Sequence, residues 1–100
     1  MDYINSYYKH YEKKAVLITG RVHPGEPQGS WAMQGCLSYL VSDEEEAKQM
    51  RKSFIFYVIP MLNPDGVIQG NHRCSYLGVD LNRRWMNPSR ALHPVIYAAK

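Results

Sequence analysis

The stretch that decides the fold is AVLITGRVHPGE, residues 15–26. Its first half, Ala15 to Gly20, is an apolar run rich in β-branched side chains and ended by glycine, which predicts a short buried β-strand. Open α/β sheets bind ligands just beyond the carboxyl ends of their strands. The tetrad His23-Pro24-Gly25-Glu26 follows at that point, so we expect its side chains to lie at a functional edge of a sheet.

The tetrad contains two side chains that are good Zn²⁺ ligands, the imidazole of His23 and the carboxylate of Glu26. A catalytic zinc usually takes three protein ligands and leaves one position for water. Pro24 and Gly25 interrupt regular structure, so they predict a tight turn whose backbone can approach a metal closely. A histidine and a glutamate three residues apart often occur by chance, and the pair alone is therefore a weak signal.

The segments after the tetrad predict a parallel βαβ unit. Residues 28–42 predict a crossover helix with Ser30 as a candidate N-cap, and residues 43–52 predict a charged surface helix after a break near Ser42. The apolar run FIFYVI, residues 54–59, predicts a strand covered on both faces. Strand, helix and strand in this order are typical of a parallel crossover. The apolar face of the first helix would consist of Met33, Cys36, Leu37, Leu40 and Val41.

Turn and loop signals dominate the remainder of the chain. Asn63-Pro64-Asp65-Gly66 predicts a type I turn. Residues 70–84 lack periodicity and predict a polar loop, whereas residues 92–100 predict the start of a helix with Pro94 in its first turn. Residues 1–14 show no clear cap or period, and we interpret them as a lead-in segment.

Composition indicates a folded protein that is only part of a domain. The chain has 100 residues, of which 45% are hydrophobic, so it is not disordered by composition. A parallel sheet commonly needs more chain than this, because each crossover consumes a helix and two loops. We therefore interpret residues 15–100 as one incomplete domain.

Charge and cysteine content exclude several classes of partner. The net charge of +3, from 12 basic and 9 acidic residues, is too small to indicate nucleic-acid binding. No apolar stretch approaches the ~20 residues of a membrane span. Cys36 and Cys74 form no Cys-x-x-Cys pair, and the N-terminus lacks the apolar core of a signal peptide. We expect a cytoplasmic protein with reduced thiols and no membrane partner.

Two segments of the predicted loop concentrate groups that recognise anions. GNHR, residues 70–73, and GVDLNR, residues 78–83, bring two arginines together with amide and carboxylate neighbours. The planar arginine fork suits a bidentate contact with a carboxylate, and asparagine can add a directed donor. Loops on rigid scaffolds often carry function, so this loop is a candidate binding site.

In order, these motifs resemble the zinc metallocarboxypeptidases, and most closely their cytosolic carboxypeptidase branch. The resemblance extends from Ala15 to Lys100 and rests on HPGE, PMLNPDGV, GNHR and GVDLNRRW in this sequence. It implies an α/β fold with a partial mixed or parallel sheet flanked by helices. Residues 15–100 would form the N-terminal part of a catalytic domain.

The resemblance also implies a role for each site residue. His23 and Glu26 would be ligands of one Zn²⁺ ion, and Asp80 would hydrogen-bond the ligating histidine and fix its orientation. Arg73 would polarise the scissile carbonyl and stabilise the oxyanion. Asn82 and Arg83 would hold the terminal carboxylate of a protein or peptide substrate.

The zinc site implied by the resemblance is incomplete in this chain. The third zinc ligand, a downstream histidine, and the general-base glutamate cannot be placed, because His93 follows Arg83 too closely and His72 is expected to be exposed. We predict that the 100-residue chain alone is inactive and binds Zn²⁺ poorly. In the full-length enzyme, the resemblance implies removal of glutamates from tubulin-like acidic tails, in the cytoplasm or at the cytoskeleton.

Two alternative functions remain open from the sequence. Aspartoacylase-like zinc deacylases share a His-x-x-Glu pair and an Asp-Leu-Asn-Arg motif, although the segment NPDG and Trp85 favour a carboxypeptidase. A truncated, non-catalytic module that binds carboxylates would also retain the arginine loop. Trp85 could stack on a nucleic-acid base, but a tryptophan that closes such a loop is more typical of a packing anchor.

Overall fold

The computed structural model describes residues 13–100 and has the α/β organisation expected from the sequence. Its elements, in chain order, are β1 (Lys14–Thr19), α1 (Gln28–Leu40), α2 (Glu45–Ser53), β2 (Phe54–Ile59), α3 (Pro64–Gln69), a 3₁₀ turn (Leu81–Arg83) and α4 (Pro94–Ala99). The predicted lead-in segment, residues 1–14, lies outside the described residues except for its last two.

The two strands form the predicted parallel pair. β1 and β2 run in register from Lys14 opposite Phe54 to Thr19 opposite Ile59. Parallel neighbours require a long crossover, which α1 and α2 provide here. Backbone pairing continues one residue past β1, because the amide of Gly20 donates to the carbonyl of Ile59 at 2.9 Å. The carboxyl ends of both strands therefore lie at the same edge of the sheet.

The expectation that β2 is covered on both faces is wrong for the part of the chain that the structure describes. Leu17 and Tyr57, which are opposite each other in the register, expose 46% and 58% of their surface. Val16, Ile18, Phe56 and Val58 are half-buried. A continuous apolar run is typical of a strand that is buried on both faces, but the elements within residues 13–100 cover these two strands only in part.

Helix α1 begins earlier than the sequence predicted. Its N-cap is Pro27, not Ser30, and the proline already has helical φ and ψ values of −63° and −22°. Because the proline ring restricts φ to helical values, the helix starts two residues before Ser30. The hydroxyl of Ser30 lies within the first turn and accepts a hydrogen bond from Nη1 of Arg21 at 2.9 Å.

The predicted turn at residues 63–66 is the first turn of a short helix. Oδ1 of Asn63 caps α3 by accepting from the amide of Gly66 at 3.0 Å, and Pro64 occupies the first turn. Gly70 ends the helix in a left-handed conformation with φ 73°. A type I turn and a helical first turn share similar backbone angles at their first central position, which explains the error. Helix α4, with Pro94 at its start, matches the prediction.

A small core supports the loops beyond the sheet. Leu62, Leu81 and Ile96 are buried, and partly buried residues pack against them, namely Val22, Ile59, Trp85, Val95 and Ala99. Trp85 thus packs as an anchor, as expected. Val22 directly precedes His23, and Leu81 directly follows Asp80, so this core positions both sides of the candidate site.

No helix among residues 13–100 is long and apolar enough to cross a membrane.

Candidate functional site

The tetrad is attached to the end of the sheet by backbone hydrogen bonds. The amide of Leu62 donates to the carbonyl of Gly20 at 2.9 Å, and the amide of Asn63 donates to the carbonyl of Arg21 at 3.2 Å. The Nδ2 group of Asn63, a residue that is 2% exposed, donates to the carbonyl of Val22 at 3.2 Å. The chain that leads to His23 is therefore fixed against the segment that follows β2.

Both ring nitrogens of His23 face carboxylates. The side chain is buried, with Nε2 lying 3.0 Å from Oδ1 of Asp80 and Nδ1 lying 3.4 Å from Oε2 of Glu26. Glu26 precedes α1 and remains half-exposed, at 47% of its side-chain surface. With Arg73, which is bonded to Asp80, the structure joins the side chains of four of the six residues that the sequence singled out.

Asp80 is the centre of the hydrogen-bond network. Its Oδ2 accepts from Nε of Arg73 at 2.6 Å, and its Oδ1 also accepts from the backbone amide of Asn82 at 3.0 Å. Burial raises the pKa of the Asp80 carboxyl. The hydrogen bonds from His23, Arg73 and Asn82, together with the charge of Arg73, lower this pKa by a larger amount, so that its value falls to about 2. Asp80 is therefore ionised at neutral pH.

An ionised carboxylate only accepts hydrogen bonds, so Nε2 of His23 must be the donor in its contact with Asp80. In the neutral imidazole, Nδ1 is then left with its lone pair directed towards Glu26. An imidazole nitrogen and a carboxylate oxygen that face each other in this way can both bind the same cation. The ring orientation is thus the one that a metal-ligating histidine requires.

The spacing of these two atoms also fits zinc. Ligands at about 2.0–2.2 Å from a tetrahedral zinc lie about 3.3–3.5 Å apart, and the observed distance between Nδ1 of His23 and Oε2 of Glu26 is 3.4 Å. Within residues 13–100, no group of three or more His, Cys, Asp or Glu side chains is placed to hold a metal. Among the described residues, the candidate zinc ligands are therefore the pair His23 and Glu26.

Gly25 allows a second loop to approach the tetrad. Its amide donates to the carbonyl of His72 at 2.7 Å. A Cβ atom at Gly25 would lie 2.6 Å from that carbonyl oxygen and 2.8 Å from Cα of His72, and real Cβ contacts are longer than this. The His72 side chain is exposed, in agreement with the expectation from the sequence. The His72 backbone, however, places the neighbouring Arg73 beside the site.

Asn82 and Arg83 lie on the 3₁₀ turn next to Asp80. Nε1 of Trp85 donates to Oδ1 of Asn82 at 2.9 Å, and because indole nitrogen is only a donor, this contact orients the amide with Nδ2 free to donate elsewhere. Arg83 is exposed and forms no ion pair within residues 13–100. In the part of the chain that the structure describes, neither of these two side chains forms a hydrogen bond or an ion pair with His23 or Glu26.

Sequence reasoning missed two residues that support the tetrad, Arg21 and Asn63. An asparagine before a proline is a recognisable N-cap signal for α3, but its bond to Val22 depends on the path of the chain. Arg21 had no local signal, since a left-handed backbone at φ 53° is unusual for any residue other than glycine.

Comparison with known proteins gives concordant results. The model of the family described as zinc carboxypeptidase matches residues 4–94. Cytosolic carboxypeptidase 1 of Gallus gallus is 53% identical over 100 residues, which cover 96% of this chain and 8% of that protein. Cytosolic carboxypeptidase 4 of Homo sapiens is 61% identical over 84 residues, which cover 84% of this chain and 8% of that protein. The chain thus spans about 8% of the length of these relatives.

Solved structures with the same fold are also carboxypeptidases. A putative carboxypeptidase A from Shewanella denitrificans is 38% identical with a TM-score of 0.81, covering 85% of this chain and 23% of its own. A metallo-carboxypeptidase from Pseudomonas aeruginosa, in complex with (2-guanidinoethylmercapto)succinic acid, is 31% identical with a TM-score of 0.80, covering 87% and 24%. The expected fold, a fragment of the zinc carboxypeptidase fold, is confirmed.

Proposed function

The chain belongs to the zinc carboxypeptidase family, and on this premise we propose that the full-length protein removes C-terminal residues from proteins or peptides by zinc-dependent hydrolysis. The observation that carries this proposal is the arrangement around His23. Its Nδ1 lies 3.4 Å from Glu26, and its Nε2 lies 3.0 Å from Asp80. A buried imidazole held in this way is suited to bind a metal.

His23 and Glu26 would hold the zinc, together with residues outside this chain. When bound, zinc acidifies a coordinated water and polarises a carbonyl oxygen. Asp80 accepts a hydrogen bond from the Nε2–H group of His23, which places the proton of the neutral imidazole on Nε2, leaves the Nδ1 lone pair for the metal and restricts rotation of the ring. Because Asp80 is also bonded by Arg73 and by the amide of Asn82, its carboxylate has little freedom to move.

Asn82 and Arg83 would bind the C-terminal carboxylate of the substrate. A terminal carboxylate has two oxygens, and the guanidinium of Arg83 can donate to both of them. The Nδ2 group of Asn82 is available for the same carboxylate, because Trp85 occupies Oδ1. Exposure of both side chains leaves them accessible to a substrate.

Arg73 would stabilise negative charge on the scissile carbonyl. Its Nε donates to Asp80. This bond fixes the position of the guanidinium and leaves the two Nη groups available as donors. The side chain is 44% exposed, so a substrate can reach it. Loss of one donor to an oxyanion costs on the order of 10²–10³ in rate in other hydrolases, and we expect a similar cost here.

We further propose that the full-length enzyme prefers glutamate at the ends of tubulin-like acidic tails, in the cytoplasm or at the cytoskeleton. Charge supports this preference. Residues 66–100, which include Arg73, Asn82 and Arg83, contain five lysines and arginines and one acidic residue, Asp80, so this segment attracts anions. The names of the cytosolic carboxypeptidase relatives agree with a cytoplasmic location.

The test uses the full-length protein and matched peptides that end in glutamate or in leucine. We expect release of both residues to require zinc, to be blocked by a chelator, and to be faster for glutamate. Peptides with an amidated C-terminus serve as the control, because Arg83 and Asn82 would lose their carboxylate. No release from any peptide would contradict carboxypeptidase activity, and equal rates would contradict the glutamate preference alone.

The comparisons favour a carboxypeptidase over the two alternatives. The matching family is described as zinc carboxypeptidase, and the relatives named above have the same activity in their names. Hydrolysis of small N-acyl amino acids without release of C-terminal residues would instead support a deacylase. A transcript that stops at Lys100 would support the non-catalytic carboxylate-binding module.

A further inference from the structure

Arg21 connects the tetrad to the first turn of α1. Its Nη1 donates to Oγ of Ser30 at 2.9 Å, and its Nη2 donates to the carbonyl of Pro24 at 2.5 Å. Pro24 lies between His23 and Glu26 in the chain, so the second bond holds the middle of the turn that carries both side chains. One guanidinium thus joins the turn to a 13-residue helix.

The backbone of Arg21 is arranged to direct its side chain inwards. Its φ of 53° lies in the left-handed region, which a residue with a side chain rarely adopts. The amide of Asn63 holds this conformation by donating to the carbonyl of Arg21 at 3.2 Å. Unusual backbone conformations of this kind persist where the surrounding structure holds them, often at functional sites.

The chemistry of the contact requires an arginine. A planar guanidinium presents several donors in a fixed geometry, and two of them reach acceptors on two different elements. Lysine has a single nitrogen on a flexible stem and cannot reproduce that geometry. The Nε of Arg21 is buried without a hydrogen-bond partner among the described residues, so the two Nη bonds account for the position of the guanidinium.

We propose that Arg21 is a positioning residue for the metal site: it holds the Pro24 carbonyl against α1 and thereby fixes His23 and Glu26 at the separation that a zinc ion needs. This inference rests on the proposed function, since it takes zinc as the metal. Among the described residues, the Arg21 guanidinium donates to Ser30 and Pro24 and not to the side chains of His23 or Glu26, so it acts through the turn.

The chain offers a matched control in Arg51. Its Nη1 donates to the carbonyls of Leu40 and Ser42, the latter at 3.0 Å, so it too uses a guanidinium to join two segments. These segments are the end of α1 and the link to α2, away from the tetrad. Arg51→Lys therefore removes a comparable contact without affecting the turn.

The experiment measures the zinc dissociation constant of the full-length protein by competition with a chelator, and the unfolding midpoint of its metal-free form. We expect Arg21→Lys to raise the zinc dissociation constant about 10- to 100-fold, the range for residues that orient metal ligands. Ser30→Ala, a milder variant, should raise it by a smaller factor. Arg51→Lys should lower the unfolding midpoint but leave zinc affinity unchanged.

The outcomes separate this inference from the proposed function. If the unmodified protein binds no zinc, the proposed function fails. If it binds zinc and both Arg21→Lys and Ser30→Ala retain its affinity, the role of Arg21 is overturned. An equal loss of affinity in Arg51→Lys would also overturn it, because the effect would then follow general stability.

Discussion

The Nε2 atom of His23 donates to Oδ1 of Asp80 at 3.0 Å, across 57 positions of sequence. This single contact links the turn after β1 to the loop that carries Asn82 and Arg83. It also sets the tautomer of the imidazole, because the ionised carboxylate can only accept. The candidate metal ligand and the candidate substrate-binding residues are therefore coupled through one carboxylate.

Asp80→Asn tests that coupling. An amide of the same shape can donate as well as accept, and it carries no charge to attract the imidazole proton or Arg73. We expect the zinc dissociation constant of the full-length protein to rise about 10- to 100-fold, measured by chelator competition. Asp65→Asn is the control, since Asp65 is exposed on α3. Parental zinc affinity in Asp80→Asn would contradict the assigned role.

Gly25→Ala should disrupt the approach of the two loops. The added methyl would lie 2.6–2.8 Å from backbone atoms of His72, so one of the loops must move. We expect a loss of about 1–3 kcal/mol in stability, seen as a lower thermal unfolding midpoint, together with weaker zinc binding.

The matched control for that variant is Gly35→Ala. Gly35 lies inside α1, and nothing lies within 4 Å of the position that a Cβ atom would take there. Alanine is favoured over glycine in a helix by about 0.5–1 kcal/mol, so this variant should be slightly more stable than the parent. If both variants changed stability in the same direction, the steric explanation for Gly25 would be wrong.

Trp85→Phe should weaken recognition of a chain end. Phenylalanine keeps an aromatic ring against the core but loses the indole N–H that orients Asn82 at 2.9 Å. A hydrogen bond contributes about 0.5–1.5 kcal/mol, so we expect KM for C-terminal peptides to rise roughly two- to tenfold with little change in kcat. Trp31→Phe, on a side chain that is 72% exposed, should leave KM unchanged. An unaltered KM in Trp85→Phe would show that the amide needs no such support.

The 100-residue chain should not act as an enzyme by itself. Two zinc ligands form a weak site, and metal affinity depends on the full ligand set. After dialysis, we expect metal analysis to find far less than one zinc per chain and peptide assays to detect no turnover. The full-length protein, treated in the same way, is the control. Stoichiometric zinc in the short chain would contradict this prediction.

Local patterns in the sequence predicted most of the secondary structure. The strands of the βαβ unit, the break between α1 and α2, and the proline-led helix α4 follow from residues that are close together in the chain. Two of the errors concern where a helix begins. Pro27 shifted the start of α1 away from Ser30, and the turn at Asn63 continued into α3.

Residue types and their order were enough to select the candidate site, because His23, Glu26, Asp80, Asn82 and Arg83 lie in short, recognisable motifs. Their relative geometry could not be predicted in the same way, since it depends on contacts between distant segments. The packing of Leu62, Leu81 and Ile96 brings Asp80 to His23, and the left-handed backbone of Arg21 directs a guanidinium into the turn. These features exist only in the folded chain. Each contact joins segments that are distant in sequence, and the entropy lost in bringing those segments together depends on the whole fold and not on local residues.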